Sequence, residues 1–349
     1  MAYINKHRFT QESRLERWLG RESFEHLQRC AVGLKTPTPV AFMPEGEPVY
    51  AVEGLFYGAI RGGGFASLSD LISERTSGGK GQDRMFSKVG TTGVANFSNS
   101  LWRVGNVPAA AGAAGALAGG THNDNTTAGG LRQADPSGSD TLHLTTVTAW
   151  GTVAPNTLLL YDRLWNGLIT LSSSSTQTCT LTGYPNSTGR YSAYSGSNSS
   201  QGNFAFVANE AGATLSAVAH TWTMVYTDDA GNTGQTAAAI NGISGAITNR
   251  VDHAEWYITL LSGDYGVADI ESIACNVATL AAGSPTIVLA HPLMIIPILV
   301  ANAPVIVDGI NSAFNLVEVK TDACLALMEL NRNATTATTY GGLVTMVSG

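Results

Sequence analysis

The chain has 349 residues, enough for two or three domains, and its 44% hydrophobic content excludes a globally disordered polypeptide. Charged residues make up only 13%, against roughly 25% in an ordinary soluble domain, and 39 glycines with abundant Ser, Thr, Ala and Asn take their place. Residues 1–90 hold 12 Lys/Arg against 10 Asp/Glu while residues 91–349 hold 7 against 16, so the larger part is acidic and no basic stripe for nucleic acid exists.

In chain order, the first predicted element is an amphipathic helix starting near Thr10, with Leu15, Trp18, Leu19, Phe24 and Leu27 recurring at helical spacing. These five side chains are candidate contacts to a partner. Residues 34–60 carry Pro37, Pro39, Pro44 and Pro48 and read as extended. A glycine-rich, charged loop follows from Arg61 to Arg84, with a short helix expected at Ser67–Glu74. Residues 105–130 (GNVPAAAGAAGALAGGTHNDNTTAGG) are low in complexity and read as an arm or linker. The expected organisation is therefore an N-terminal helix and extended arm at 1–60, a glycine/alanine-rich arm and linker region at 61–135, and a β body at 136–349.

Alternation of apolar and polar residues marks the strands of that body. Leu142–Val153, His220–Thr227, Trp256–Leu261, Ile270–Val277, Ile287–Leu289, Val317–Val319 and Cys324–Leu330 are predicted strands, and DDAGNTG at 228–234 is a hairpin turn. The apolar run at 286–307 is broken by Pro292, Pro297 and Pro304, which predicts short buried strands and turns in place of a membrane helix. Without helical crossovers, the fold class is mainly β, an antiparallel β-sandwich or jelly-roll-like body.

Nothing in the sequence selects a catalytic set, a cofactor or a metal site. The four cysteines (Cys30, Cys179, Cys275, Cys324) are too far apart for a zinc knuckle or redox pair and read as buried thiols. GGKG at 78–81 lacks the spacing of a phosphate loop. His122, His220 and His253 read as structural imidazoles or loop residues, and Asp228, Asp229 and Asp264 as turn residues. Tyr184, Tyr191 and Tyr194 sit among Ser, Gly and Asn in a composition suited to sugar stacking or protein contact, and are candidate interaction residues. The N-terminus has no apolar signal region, so synthesis in a cytoplasm is expected.

Several patches in fixed order carry a family resemblance. LLLYDRLW at 158–165, VYTDDAGNTG at 225–234 and LSGDYGV at 261–267, with GFASLSDL at 64–71, SLWR at 100–103 and ACLALMEL at 323–330, resemble a family of uncharacterised tailed-phage virion structural proteins. The family hairpin reads closer to Tyr-Thr-Asn where this chain has Asp228-Asp229. The resemblance implies a non-catalytic virion component, with the virion as its location. The expected partners are further copies of the chain and other virion proteins, in particular the major capsid protein, with no nucleic acid and no membrane. A capsid cement or decoration protein is the leading expectation. A major capsid protein, a collar, tail or fibre component binding host glycans, and a virion-borne glycan depolymerase are the alternatives.

Overall fold

The computed structural model of the chain describes residues 41–42 and 48–49 (backbone), 65, 68–76, 78–90, 95–170, 176–181, 190–191, 200–210, 214–215, 217–243, 245–246, 248–277, 283–310, 316–330 and 336–349. Two units divide the chain, Met1–Ser73 and Glu74–Gly349. The first contains an antiparallel pair, β1 (Ala41–Phe42) and β2 (Pro48–Val49). Helix α1 (Leu68–Thr76) spans the division, with Asp70 in its first turn and Arg75 in its last, each matched in sign to the helix dipole.

The second unit is built from antiparallel strands. These are β3 (Gly81–Val89), β4 (Asn99–Ser100), β5 (Asn106–Val107), β6 (Thr121–His122), β7 (Leu142–Gly151), β8 (Asn156–Leu168), β9 (Gln177–Thr178) and β10 (Phe204–Asn209). Then come β11 (Thr221–Asp228), β12 (Gln235–Thr236), β13 (Ile240–Asn241), β14 (Val267–Cys275), β15 (Pro285–Ile298), β16 (Val305–Asp308), β17 (Val317–Val319), β18 (Leu325–Leu330) and β19 (Thr339–Ser348). They form three sheets. The central one has the order β10-β15-β8-β18-β4 with β6 also on β8; a large flanking sheet has β16-β7-β19-β3-β5 with β17 on β7; a small one has β12-β11-β14-β9 with β13 on β11.

The pleat of β8 and β15 explains how three sheets share one body. Leu158 and Leu160 of β8, with Ile296 and Ile298 of β15, pack against Val147, Val344 and Met346 of the large sheet. A bulge at Leu164 and another at Leu293 shift the β8–β15 register. Beyond the first, Leu164, Trp165, Ile287 and Leu289 pack against Trp222, Met224 and Ile273 of the small sheet. One face of the central sheet thus forms two sandwiches end to end. The opposite face (Leu159, Tyr161, Phe206, Val288, Met328) is covered by Trp102, Ala111 and Val251 from loops.

This is the mainly β, antiparallel sandwich body that the alternation predicts, and several elements fall where expected. β7, β11, β14, β17 and β18 match predicted strands, α1 matches the expected short helix, and β18 is interior, between β8 and β4. Other elements differ. The run at 286–307 is not a series of short strands: Pro292 and Pro297 lie inside the single strand β15. They are tolerated because β10 pairs only with Pro285–Ala290, leaving the outer edge of β15 beyond that point without a ladder partner from β10. Trp256–Leu261 is not a strand. It belongs to a segment that covers the edge of β10, with Asp252 N–H donating to Val207 O (2.8 Å) and Ile258 N–H to Ala205 O (2.7 Å).

The described residues from Gly81 to Asp135, within the stretch read as arm and linker, belong to the second unit. β3 lies in it and pairs along its whole length with β19, which the sequence reading does not mark as a strand. Ala111, Leu117 and Leu131 are buried. Gly120, at φ +52°, has a packing reason: a Cβ on it would lie 2.1 Å from the Trp165 indole. At this position a residue type common in flexible linkers serves close approach to a large aromatic.

Leu160 is completely buried between the central and large sheets. Leu160→Ala is expected to cost about 2–5 kcal/mol, read as a lowered midpoint in equilibrium urea unfolding. Val300→Ala, at a side chain 62% exposed, is expected to stay within about 0.5 kcal/mol of the parent.

Candidate functional site

The chemically distinctive residues of the body lie inside it. Asp162 and Arg163 are adjacent in β8, so strand geometry sends them to opposite faces, and both are wholly buried. Arg163 forms a two-pronged pair with Glu210: Nη1 donates to Oε1 (2.7 Å) and Nη2 to Oε2 (2.6 Å). Ser100 Oγ donates to the same Oε1 at 3.0 Å, Arg163 Nε donates to Asn166 Oδ1 at 3.3 Å, and the guanidinium lies 4.6 Å from the Trp102 ring centre. Burial alone would lower the pKa of Arg163, but the Glu210 carboxylate outweighs it and holds the guanidinium charged.

On the other face, Asp162 Oδ1 accepts from Arg190 Nη2 (3.2 Å) and from the Cys324 N–H (2.8 Å). Burial pushes the Asp162 carboxyl above the usual carboxylate range, with Arg190, the Cys324 amide and the Tyr191 hydroxyl acting the other way. Arg190 also donates to the carbonyls of Asn123 (2.8 Å), Asp322 (2.5 Å) and Arg163 (3.4 Å). It therefore ties the segments at Asn123 and Asp322, together with its own, to β8.

A second closed cluster joins the small sheet to the edge of β10. Asp252 Oδ2 accepts from Trp222 Nε1 (2.8 Å) and lies 2.7 Å from His220 Nε2, while His220 Nδ1 lies 2.9 Å from the Val218 carbonyl. Both ring nitrogens thus face acceptors. Burial favours the neutral ring, but the Asp252 carboxylate and the Val218 carbonyl outweigh it and raise the pKa. His253, the next residue after Asp252, is the opposite case. Its Nε2 accepts the Val207 N–H (3.2 Å), and burial lowers its pKa to about 4.

The hairpin after β11 is a turn held by its own carboxylate. Asp228 Oδ1 accepts from the amides of Ala230 (2.9 Å) and Asn232 (2.8 Å), and Oδ2 from Asn232 Nδ2 (2.7 Å). Asp229 Oδ1 accepts the Tyr265 N–H (2.9 Å), and Asp264 Oδ2 accepts the Tyr226 hydroxyl (2.5 Å). All three aspartates are turn or loop supports, as the sequence suggests. Among the described residues no group of three or more His, Cys, Asp and Glu is placed to hold a metal ion, and Cys179, Cys275 and Cys324 are buried free thiols.

Of the candidate interaction residues, Leu15, Trp18, Leu19, Phe24, Leu27, Tyr184 and Tyr194 lie outside the described residues. Tyr191 is half-buried at φ +50°, stacked on His291 with ring centres 3.8 Å apart and planes 10° apart. That ring face is taken. His291 in turn faces Asn203 Oδ1 at 2.8 Å, and burial lowers its pKa to about 3. Asn123 is buried and donates to Asn166 Oδ1 (2.7 Å), so the His122–Asn123 stretch is not a solvated loop. The Asp162–Arg163 pair and Arg190 are absent from the sequence-level candidates. The usable signal was two opposite charges side by side inside the apolar run LLLYDRLW, where period-two geometry buries both faces.

No family model matches the chain, and no curated protein matches it. Among solved structures it is similar at a low level to capsid proteins of infectious bursal disease virus. The Gx strain structure is 10% identical, covering 77% of this chain and 80% of that one, with a TM-score of 0.18. The VP2 subviral particle is 8% identical, covering 76% and 80%, with a TM-score of 0.16. Likeness at this level carries no argument about function.

Removing one member of the buried Arg163–Glu210 pair leaves an uncompensated charge. Glu210→Gln is expected to cost about 3–5 kcal/mol in denaturant unfolding, whereas the double variant Arg163→Met with Glu210→Met recovers most of that loss. The His220 pair sets a pH signature. Its folded pKa is raised, so its stabilisation is complete below the unfolded value of about 6.5 and is lost as pH rises through the folded pKa. His220→Gln is therefore expected to lower the melting temperature more at pH 6 than at pH 9. Equal losses at both would show a neutral imidazole. His253, protonated only when unfolded, destabilises in the opposite window, as pH falls from about 6.5 towards 4.

Proposed function

We propose that the chain is a non-catalytic structural protein of a tailed-phage virion, acting as a cement or decoration protein on the shell. The observation that carries this reading is how polarity is divided within Glu74–Gly349. Three ion pairs are closed inside (Arg163–Glu210, Arg190–Asp162, His220–Asp252), others such as Arg75–Asp83 and Lys320–Glu318 lie at the surface, and Met85, Leu299, Val300 and Ile306 stand 62–71% exposed. Buried polar groups engaged with one another stiffen a body without offering them to a substrate. Exposed apolar side chains on a charge-poor surface suit a part that works against other protein surfaces. The order of the LLLYDRLW, VYTDDAGNTG and LSGDYGV patches supports the same class.

Quantitative mass spectrometry of purified particles tests this. Hundreds of copies per particle, near parity with another abundant shell protein, are the expected result. A dozen copies or fewer would move the assignment to collar, tail or fibre, and absence from purified particles would overturn the virion reading altogether.

A further inference from the structure

Asp135–Pro136 is the one Asp-Pro bond in the sequence. A prolyl bond is a tertiary amide, and its nitrogen takes up a proton more readily than that of an ordinary peptide. The aspartate before it carries a carboxylate that can close on the carbonyl carbon of the same bond, a reaction within one residue that needs no encounter. Every Asp-Pro bond shares this weakness. What differs from chain to chain is whether the fold holds the carboxylate and supplies an acid.

Here the fold does both. Asp135 Oδ1 accepts the Asp322 N–H at 2.8 Å, and the Asp135 and Asp322 carboxyl groups are hydrogen-bonded to each other. A hydrogen bond between two carboxyl groups holds a proton, so one of the pair is an acid while the other is ionised. Partial burial and the Asp135 carboxyl beside it raise the Asp322 pKa; Asp124 adds to the effect and Arg190 opposes it. The backbone is fixed on both sides of the bond. Gln82 grips Ala134 through its N–H (2.8 Å) and its carbonyl (2.7 Å), and Gln133 Nε2 donates to the carbonyl of Ala323, the residue after Asp322, at 2.6 Å. Beyond the bond, Asp140 pairs with Lys80 (2.8 Å), and Thr141 exchanges backbone hydrogen bonds with Gly349 (3.0 and 3.1 Å). Asp135 and Asp322 are both exposed, so water reaches the site.

We propose that the chain cuts itself once, at the Asp135–Pro136 bond, with the Asp135 carboxylate as nucleophile and the Asp322 carboxylic acid as proton donor. The carboxylate oxygen of Asp135 attacks its own main-chain carbonyl carbon and closes a cyclic anhydride. The C–N bond to Pro136 breaks, and the departing nitrogen takes the Asp322 proton. Water then opens the anhydride to two carboxylates; of the two protons released, one returns to Asp322 and the other charges the new Pro136 amine. The net change is hydrolysis of one peptide bond. It consumes only water, and it happens once per chain, so it goes beyond the virion reading without depending on it. Residues 1–135 and 136–349 stay joined afterwards through the β3–β19, β6–β8 and β4–β18 ladders. The nicked body therefore keeps its fold, while the segment at 136–139 gains a free end.

Intact-mass spectrometry of the purified full chain, incubated between about pH 3 and 8, tests the cut. The expected products are the fragments 1–135 and 136–349. The reaction needs one carboxyl ionised and the other protonated, so its rate is expected to pass through a maximum in mildly acidic solution. Asp135→Asn and Pro136→Ala are each expected to abolish the fragments. Asp322→Asn is expected to slow their appearance at least about ten-fold, the low end of what a positioned acid supplies. Asparagine suits the backbone there, since Asp322 lies at φ +62°. Should a variant fail to fold, the parent chain reads the same point: in urea at the same pH, the unfolded chain is expected to cleave at least about ten-fold more slowly than the folded one. Absence of the fragments, cleavage as fast in urea as in the fold, or an Asp322→Asn chain that cleaves at the parent rate overturns the proposal.

Discussion

Two unlike charges side by side on a strand buried on both faces constrain everything around them. Asp162 and Arg163 cannot share one partner, because the pleat points them in opposite directions. Each needs its own counter-charge, and an unpaired charge at either site would cost several kcal/mol. Glu210, just after β10, answers Arg163; Arg190, from the long connection between β9 and β10, answers Asp162. The chain must therefore bring the segment ending β10 and the segment at Arg190 to opposite faces of β8. The central sheet, its loop cover and the position of Arg190 are consistent with that single requirement.

The bulges at Leu164 and Leu293 make the arrangement possible in one sheet. A regular ladder would keep one set of side chains in phase along all of β8. The extra residue changes the phase just past Arg163, so Leu164 and Trp165 can both fill the second sandwich. Burial then separates chemically similar groups: three histidines near β10 differ because His220 meets acceptors on both nitrogens while His253 and His291 are held neutral by desolvation.

Much of the architecture was legible in the sequence because half-buried antiparallel strands advertise themselves by alternation. β7 and β11 each have one face in a core and one towards solvent. Elements buried on both faces, such as β8 and β10, show no alternation, and β3 and β19 carry glycine and mixed polarity that mimic loop. Residues 105–130 read as linker because composition does not distinguish a glycine such as Gly120, packed against Trp165, from one that is there for freedom. The candidate site was less legible still. Tyr191 has the composition of a binding loop around it, yet its ring is spent on His291. The exposed row of Ile306 and Met85 depends on pairings between residues 158 to 258 positions apart, which no local pattern encodes.

The uninterrupted passage of β8 and β15 under both flanking sheets has a mechanical side. Tension applied between the two sandwiches runs along these strands and loads their ladder in shear, so the cross-strand bonds from Leu168–Thr286 to Asn156–Ile298 bear it together. A hinge built from a single connecting loop would yield at its weakest bond. Here the load path is one long paired ladder, so strain on either sandwich is passed to the other through many bonds at once.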